Sequence, residues 1–185
     1  MTPLKRIIDL THPITAGMPV YPGDPAVRFT QVHSINEGGY NVSEVSMGTH
    51  TGTHIDAPFH FSMSGETAEA IPLEHCIGPC EVLPLTRLAT AKAERVLVKA
   101  AGGAPTAQQV RALPNLKLFG TDGPSVDPMD SKTLDAHHAL WKRGVVILEG
   151  LVLASVPDGS YELIALPLKL VDMDAAPVRA ILIER

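Results

Sequence analysis

The chain has 185 residues, of which 45% are hydrophobic and 19% charged, and its formal net charge is −5. A chain of this length buries roughly 70% of its unfolded surface without disulfide staples, so we expect residues 1–185 to form a single domain. The negative charge balance and the lack of a basic cluster argue against nucleic acid and anionic membranes as partners.

Most of the predicted elements are strands. Apolar and alternating segments predict strands over residues 6–10, 27–35, 40–47, 80–85, 95–99, 116–122, 145–149, 161–166 and 178–183. Two short helices are predicted, over residues 106–113 and 132–142; Ser131 caps the second, which stops at Gly144. Hairpins therefore mix with helical crossovers. The predicted fold class is α/β and β-rich, with a mixed sheet and few short helices.

The N-terminal segment and the cysteines indicate an ordinary intracellular protein. Asp9 interrupts the apolar residues that follow Arg6, so we expect no signal peptide, no membrane-spanning segment and a cytoplasmic location. Cys76 and Cys80 flank Gly78-Pro79, which predicts a turn. No second Cys/His pair in the sequence completes a zinc site with them, and we interpret them as small buried residues.

One stretch, residues 50–60, concentrates the candidate functional side chains. It contains His50, His54, Asp56 and His60. The even spacing of the last three would place them on one face of an extended strand. In a flat strand, however, His50 and His54 would lie about 13 Å apart at Cα, which is too far for two ligands of one ion. The chain must therefore bend between them, and Gly52 permits the bend.

Imidazoles and a carboxylate at this spacing indicate a metal centre, the alternative being a polar strand end with hydrogen-bonded histidines. Glu149 ends an otherwise apolar strand, where a carboxylate either binds a partner or emerges into water. The helix after Ser131 adds His137 or His138, and the helix alone does not select between them. This inventory supports one or two divalent ions and leaves His60 for proton transfer, since its unperturbed pKa is about 6.5.

Residues 50–60 resemble the H-x-G-[TA]-H-x-D-x-P-x-H signature of the metal-dependent cyclase-like hydrolases, whose best-known members are the bacterial kynurenine formamidases. Six further segments resemble motifs of that family in the same order: residues 19–24, 121–128, 131–137, 147–151, 161–169 and 176–180. The resemblance implies a compact β/β/α domain of the swivelling type, and a homodimer or a higher homo-oligomer.

The resemblance also implies roles, position by position. The residues implied to hold two zinc ions, or manganese or another divalent ion, are His50, His54, Asp56, His137 and Glu149. Within this set Asp56 and Glu149 would bridge the ions, and the family spacing selects His137 over His138. His60 would be the catalytic acid/base.

The activity that the resemblance implies is hydrolysis of an aryl formamide, N-formyl-L-kynurenine, to L-kynurenine and formate in tryptophan degradation. Tyr21, Phe59 and Phe61 are candidates for the aryl pocket, the alternative being ordinary packing. Tyr21 stands where the family has Trp, and residues 98–116 form a shorter region than in kynurenine formamidases. Because both departures concern the substrate, two alternatives stay open. One is hydrolysis of another small or cyclic amide such as isatin, and the other is a non-catalytic metal-binding module with a closed ligand shell.

Overall fold

The computed structural model describes residues 5–184. The strands in this range are β1 (Arg6–Asp9), β2 (Arg28–His33), β3 (Val42–Ser46), β4 (His54–Asp56), β5 (Ile77–Pro84), β6 (Arg95–Lys99), β7 (Leu118–Thr121), β8 (Val146–Glu149), β9 (Gly159–Ile164), β10 (Ala175–Pro177) and β11 (Ile181–Glu184). The α-helices in this range are α1 (Ile35–Gly38), α2 (Ala107–Ala112) and α3 (Asp135–Trp141). None of the helices within residues 5–184 is long and apolar enough to cross a membrane.

Nine of the strands form one mixed sheet, in the order β1-β11-β9-β5-β6-β7-β8-β4-β10. Strands β5, β6, β7 and β8 run parallel to one another, and the other neighbouring pairs of this sheet are antiparallel. Strands β2 and β3 stand apart as a two-stranded ribbon. The β-rich, mixed α/β architecture predicted from the sequence is confirmed, whereas the separation of the ribbon from the main sheet was not anticipated.

The hydrophobic core lies on both faces of this sheet. Successive residues of a strand point to opposite faces, and Ile147 and Leu148 of β8 accordingly belong to two different clusters of buried side chains. Helices α2 and α3 pack on the face of Ile147, through residues such as Val110 and Leu140. The central strands are therefore covered on both sides, which keeps the end of β8 away from water.

Several local predictions from the sequence are wrong, and the first of them is the turn expected at Gly78-Pro79. Gly78 and Pro79 lie inside β5 instead of forming a turn, and they pair with Leu163 and Glu162 of β9. Proline is tolerated there because β6 begins to pair with β5 only at Glu81, so this part of β5 has a described strand on one side only.

The second wrong prediction concerns the start of α3, which begins at Asp135 and not at residue 132. The Ser131 hydroxyl accepts a hydrogen bond from the Leu134 N–H within a turn that precedes the helix. The carboxylate of Asp127 instead accepts the main-chain N–H groups of Ala136 and His137 in the first turn of the helix. Local spacing could not reveal this acceptor because it lies eight residues before Asp135.

Candidate metal centre

The pairing of two neighbouring strands forms the centre of the candidate site. His54 of β4 lies directly opposite Glu149 of β8, and Asp56 follows on the same face of β4. All three side chains are buried. His54 Nε2 is 3.6 Å from Glu149 Oε2 and 3.2 Å from Asp56 Oδ1. The register of β4 on β8 therefore brings together residues that are more than ninety positions apart in the chain.

His50 reaches the same point because the chain turns back before β4. Gly52 has φ +67°, a left-handed conformation that favours glycine, so the predicted bend is confirmed. The bend puts His50 Nδ1 3.0 Å from Asp56 Oδ1. The carbonyl of Gly52 also accepts a hydrogen bond from His54 Nδ1 at 3.0 Å.

Helix α3 contributes His137 and not His138. His137 is buried, and its Nε2 lies 3.2 Å from Asp56 Oδ2 and 3.4 Å from Glu149 Oε1. The ring of His138 instead packs against Phe61 and Trp141. The five residues that the resemblance names as ligands are thus brought together by the fold.

His60 lies at the rim of this cluster, where the sequence analysis misjudged the backbone. Strand β4 ends at Asp56, and Pro58–His60 form a 3₁₀ turn, so the single strand face expected for His54, Asp56 and His60 does not exist. The ring of His60 nevertheless lies close to the ring of His50, with 4.1 Å between centroids and a tilt of 48°. Its side chain is partly open to solvent.

Two carboxylates that the sequence analysis missed also contact the candidate histidines. Asp127 Oδ2 is 2.7 Å from His137 Nδ1, and Asp174 Oδ2 is 3.2 Å from His50 Nε2. Asp127 lies within the family-like segment 121–128, which could have suggested it. Asp174 precedes β10 and carries no sequence pattern that would single it out.

The donor atoms fit divalent metal ions. In the described part of the chain, His54 Nε2 and Asp56 Oδ1 are buried without a hydrogen-bond partner, although the two atoms lie 3.2 Å apart. Buried polar atoms left in this state cost free energy unless another group binds them. Candidate ligand atoms lie within 4.8 Å of one another in three groups of the described residues. The two buried groups share Asp56, namely His50/His54/Asp56 and Asp56/His137/Glu149, and the third, His50/His60/Asp174, lies nearer the solvent. Imidazole nitrogens and carboxylate oxygens in such sets suit zinc and accept other divalent ions.

The electrostatics of the metal-free cluster are those of a tightly coupled group of acids and bases. Burial alone would raise the pKa of Asp56, but His137, His50 and His54 hold that pKa well below its usual value. Burial opposes protonation of His54 and His137, yet the neighbouring carboxylates outweigh burial and raise their pKa values to about 9 and about 11. Burial and the negative charge of Asp56 raise the pKa of Glu149. Protons therefore occupy the cluster where cations would bind.

His60 differs from the other histidines. Burial lowers its pKa, and the nearby His50 and His137 add to this effect against the opposing charge of Asp56. The imidazole of His60 is therefore neutral at pH 7, and it can accept a proton and release it again.

A cavity of about 700 Å³ opens onto the cluster. Its polar side includes His50, His54, His60, His137 and Glu149. Its apolar side includes Met18, Val20, Tyr21, Met129 and Leu134. The Tyr21 hydroxyl donates a hydrogen bond across this side to the carbonyl of Met129 at 3.3 Å. An aryl-sized substrate would fit between the two sides.

The structure brings Tyr21 to this cavity but does not bring Phe59 or Phe61 to it. Phe61 lines a separate cavity of about 340 Å³ together with Trp141, and its ring packs on the edge of His137. Phe59 lies in the 3₁₀ turn and is exposed. The turn that carries His60 to the cluster thus leaves its two phenylalanine neighbours outside the lining of the larger cavity.

The sequence of this chain matches a family model and several known proteins. The family model described as "Putative cyclase" matches residues 8–113. A protein of Salinibacter ruber (strain DSM 13855 / M31) named kynurenine formamidase is 41% identical over 95% of this chain and 96% of its own length. A kynurenine formamidase of Bordetella avium (strain 197N) is also 41% identical, over 98% of this chain and 99% of its own length.

A solved structure agrees with these sequence matches. It is described as a potential metal-dependent hydrolase with cyclase activity, and it superposes with a TM-score of 0.82 at 32% identity, covering 97% of this chain and 98% of its own. The family match spans more than half of the chain, and the relatives align over almost all of it. The chain therefore belongs to the cyclase family.

Proposed function

We propose that this chain is a metal-dependent amidohydrolase that converts N-formyl-L-kynurenine into L-kynurenine and formate. The observation that carries the proposal is the convergence of three imidazoles and two carboxylates, from three distant segments, beside a cavity of about 700 Å³ that four of these five groups line. Relatives named kynurenine formamidase, at 41% identity over nearly the whole chain, support the choice of substrate.

The proposed ligands form two overlapping groups. His50, His54 and Asp56 would hold one ion, and Asp56, His137 and Glu149 would hold a second. We propose zinc as the native ion, with manganese or another divalent ion as a substitute. When bound, such ions acidify water and polarise a carbonyl oxygen, which is the chemistry that amide hydrolysis requires.

The protein's own residues orient the substrate and move the proton. The apolar side of the cavity, with Tyr21 at its edge, receives the aryl ring and excludes water from it. Water adds to the formyl carbon, the carbon–nitrogen bond breaks, and the added oxygen leaves in formate. His60, neutral and at the rim, takes up the proton released by water and delivers it to the aniline nitrogen of the departing kynurenine.

The decisive experiment compares substrates on metal-reconstituted protein. We expect zinc-loaded protein to release formate from N-formylkynurenine faster than it opens isatin or hydrolyses another small amide, and we expect chelated protein to be inactive. Faster turnover of isatin would instead indicate that the substrate is a cyclic amide. Zinc binding without turnover of any of these amides would favour the non-catalytic metal-binding module.

We also propose that the enzyme is a homo-oligomer in which the β2–β3 ribbon packs against a second copy of the chain. All residues from 28 to 46 except Ser34 are exposed, including Phe29 (48%) and Val45 (56%), which pair across the two strands. A two-stranded ribbon is at best marginally stable alone in water. A standard interface covers about 800 Å² of each partner, and the eighteen exposed residues of the ribbon supply an area of that order.

Phe29 and Val45 share one face of the ribbon, and substitutions there test this interface. We expect wild-type protein to sediment as a dimer or larger, and Phe29→Glu with Val45→Glu to shift it to monomer. Met63→Glu is the matched control, because Met63 is 93% exposed and lies outside the ribbon. A monomeric wild type would refute this interface.

A cytoplasmic location, a single domain over residues 1–185 and the exclusion of nucleic acid and membrane partners stay predictions from the sequence. Residues 1–4 of the N-terminal segment lie outside the described residues.

A further inference from the structure

The three histidines proposed as ligands share one arrangement. Each has one ring nitrogen that faces Asp56 or Glu149, and each has its other nitrogen against a protein acceptor. For His54 that acceptor is the main-chain carbonyl of Gly52. For His137 and His50 it is a carboxylate, from Asp127 and Asp174 respectively.

Asp127 is held rigidly against His137. It is buried, and its Oδ2 lies 2.7 Å from His137 Nδ1. The same carboxylate accepts main-chain hydrogen bonds from Ala136 at 2.9 Å and from His137 at 3.0 Å. Three donors from the first turn of α3 therefore fix the orientation of the carboxylate, and with it the ring of His137.

Asp174 holds His50 in a similar way but is closer to solvent. Its Oδ1 accepts the Thr49 hydroxyl at 2.7 Å, and its Oδ2 lies 3.2 Å from His50 Nε2. Its main-chain carbonyl accepts the Ala57 N–H at 2.9 Å, at the point where β10 begins to pair with β4. Strand pairing thus anchors Asp174 beside the stretch that carries His50.

A carboxylate in this position selects the tautomer of a neutral imidazole. The neutral ring has one N–H and one lone pair, and an ionised carboxylate can only accept. When a metal ion displaces one proton of a protonated ring, the hydrogen that remains is therefore held on the nitrogen that faces the carboxylate, and the other nitrogen binds the ion. Acceptors in the second layer around a metal site orient ligand histidines in this way, and their loss weakens metal binding by about 10- to 100-fold.

We propose that Asp127 and Asp174 are positioning residues that keep the hydrogen on His137 Nδ1 and on His50 Nε2. His137 Nε2 and His50 Nδ1 are then the nitrogens that bind the metal ions, after giving up any proton that they carry. This inference rests on the metal centre of the proposed function. The effect of Asp127 is the larger of the two, because its contact is shorter and more deeply buried than that of Asp174.

The test uses Asp127→Asn and Asp174→Asn. Asparagine has the size of aspartate, but its amide NH₂ can donate to the ring nitrogen and so favours the opposite tautomer. The matched controls are Asp130→Asn and Asp172→Asn, in which an exposed aspartate close in sequence is changed in the same way. The probe is Zn²⁺ alone, titrated into metal-free protein, with the unfolding midpoint of each metal-free variant as the check of folding.

We expect Asp127→Asn to weaken zinc binding by about 10- to 100-fold and Asp174→Asn to weaken it less, while both controls bind as the wild type does. In proton NMR of the zinc-loaded proteins, we expect one imidazole N–H resonance of each variant to shift and broaden, because the hydrogen bond of that N–H to the carboxylate is lost. A purely structural role would lower the unfolding midpoint and leave that resonance in place.

The outcomes separate the two proposals. Wild-type affinity together with unchanged N–H resonances in both variants would overturn this inference alone. Failure of the wild type to take up zinc would overturn the metal centre and the inference with it. If Asp127→Asn does not fold, the more exposed Asp174→Asn decides the question.

Discussion

The substitution Gly150→Ala adds a single methyl group next to the candidate metal centre and so tests the geometry of the site. Gly150 follows Glu149, has φ +64°, and faces the main chain of Gly52, so that a Cβ would overlap the Gly52 carbonyl oxygen and lie 3.2 Å from the carbonyl carbon. The left-handed backbone costs an L-residue about 1–2 kcal/mol, and forcing packed groups apart costs about 1–3 kcal/mol more. We therefore expect Gly150→Ala to lower the free energy of unfolding by about 2–5 kcal/mol.

The same substitution should also weaken zinc binding. His54 and Glu149 lie close in sequence to Gly52 and Gly150. A methyl group that pushes Gly52 and Gly150 apart would therefore also separate the paired side chains of β4 and β8. Denaturant unfolding of the metal-free protein measures the stability, and titration with Zn²⁺ measures the affinity.

Gly144→Ala is the control for the Gly150 variant. Gly144 has φ +66°, but no described atom lies within 4 Å of the position of its Cβ. This variant should therefore show only the backbone cost of about 1–2 kcal/mol and wild-type zinc affinity. Equal losses of stability in the two variants would refute the reasoning, because the contact with Gly52 would then add nothing to the backbone strain.

Three further predictions concern the cluster itself. His60→Ala should keep its zinc and lose turnover by about 100-fold or more, while His138→Ala keeps both; near-normal rates would remove His60 from the mechanism. Asp56→Ala should lose metal and activity together, and full zinc occupancy by elemental analysis would contradict its role as the shared ligand. Because the raised pKa values of His54 and His137 keep both protonated at neutral pH, zinc must displace protons, and its affinity should rise with pH. Calorimetry in two buffers of different ionisation enthalpy detects the released protons. A zinc affinity that does not change with pH would contradict the displacement of protons by zinc.

The sequence identified the part of the site that depends on local chain geometry. The spacing of His50, His54 and Asp56 required a bend, and Gly52 was the residue that could supply it, as its positive φ confirms. Glu149 was recognised because a carboxylate after a run of apolar residues needs a partner, and the fold buries it opposite His54. Their roles as ligands stay predictions.

The family resemblance was needed where local geometry was ambiguous. A helix presents His137 and His138 on adjacent positions, and its start was predicted three residues too early because the Asp127 carboxylate that caps the helix is not local. Family spacing selected His137, and the structure agrees in turning His137 toward Asp56.

Tertiary structure alone decided what depends on strand pairing across the chain. Asp174 meets His50 only because β10 pairs with β4, and β4 meets Glu149 only because it pairs with β8. Periodicity shows which residues of a strand share a face, but it carries no information about which strands become neighbours. The composition, the bend and the candidate ligands were therefore determined by the sequence, whereas their convergence was decided by the order of strands in the sheet.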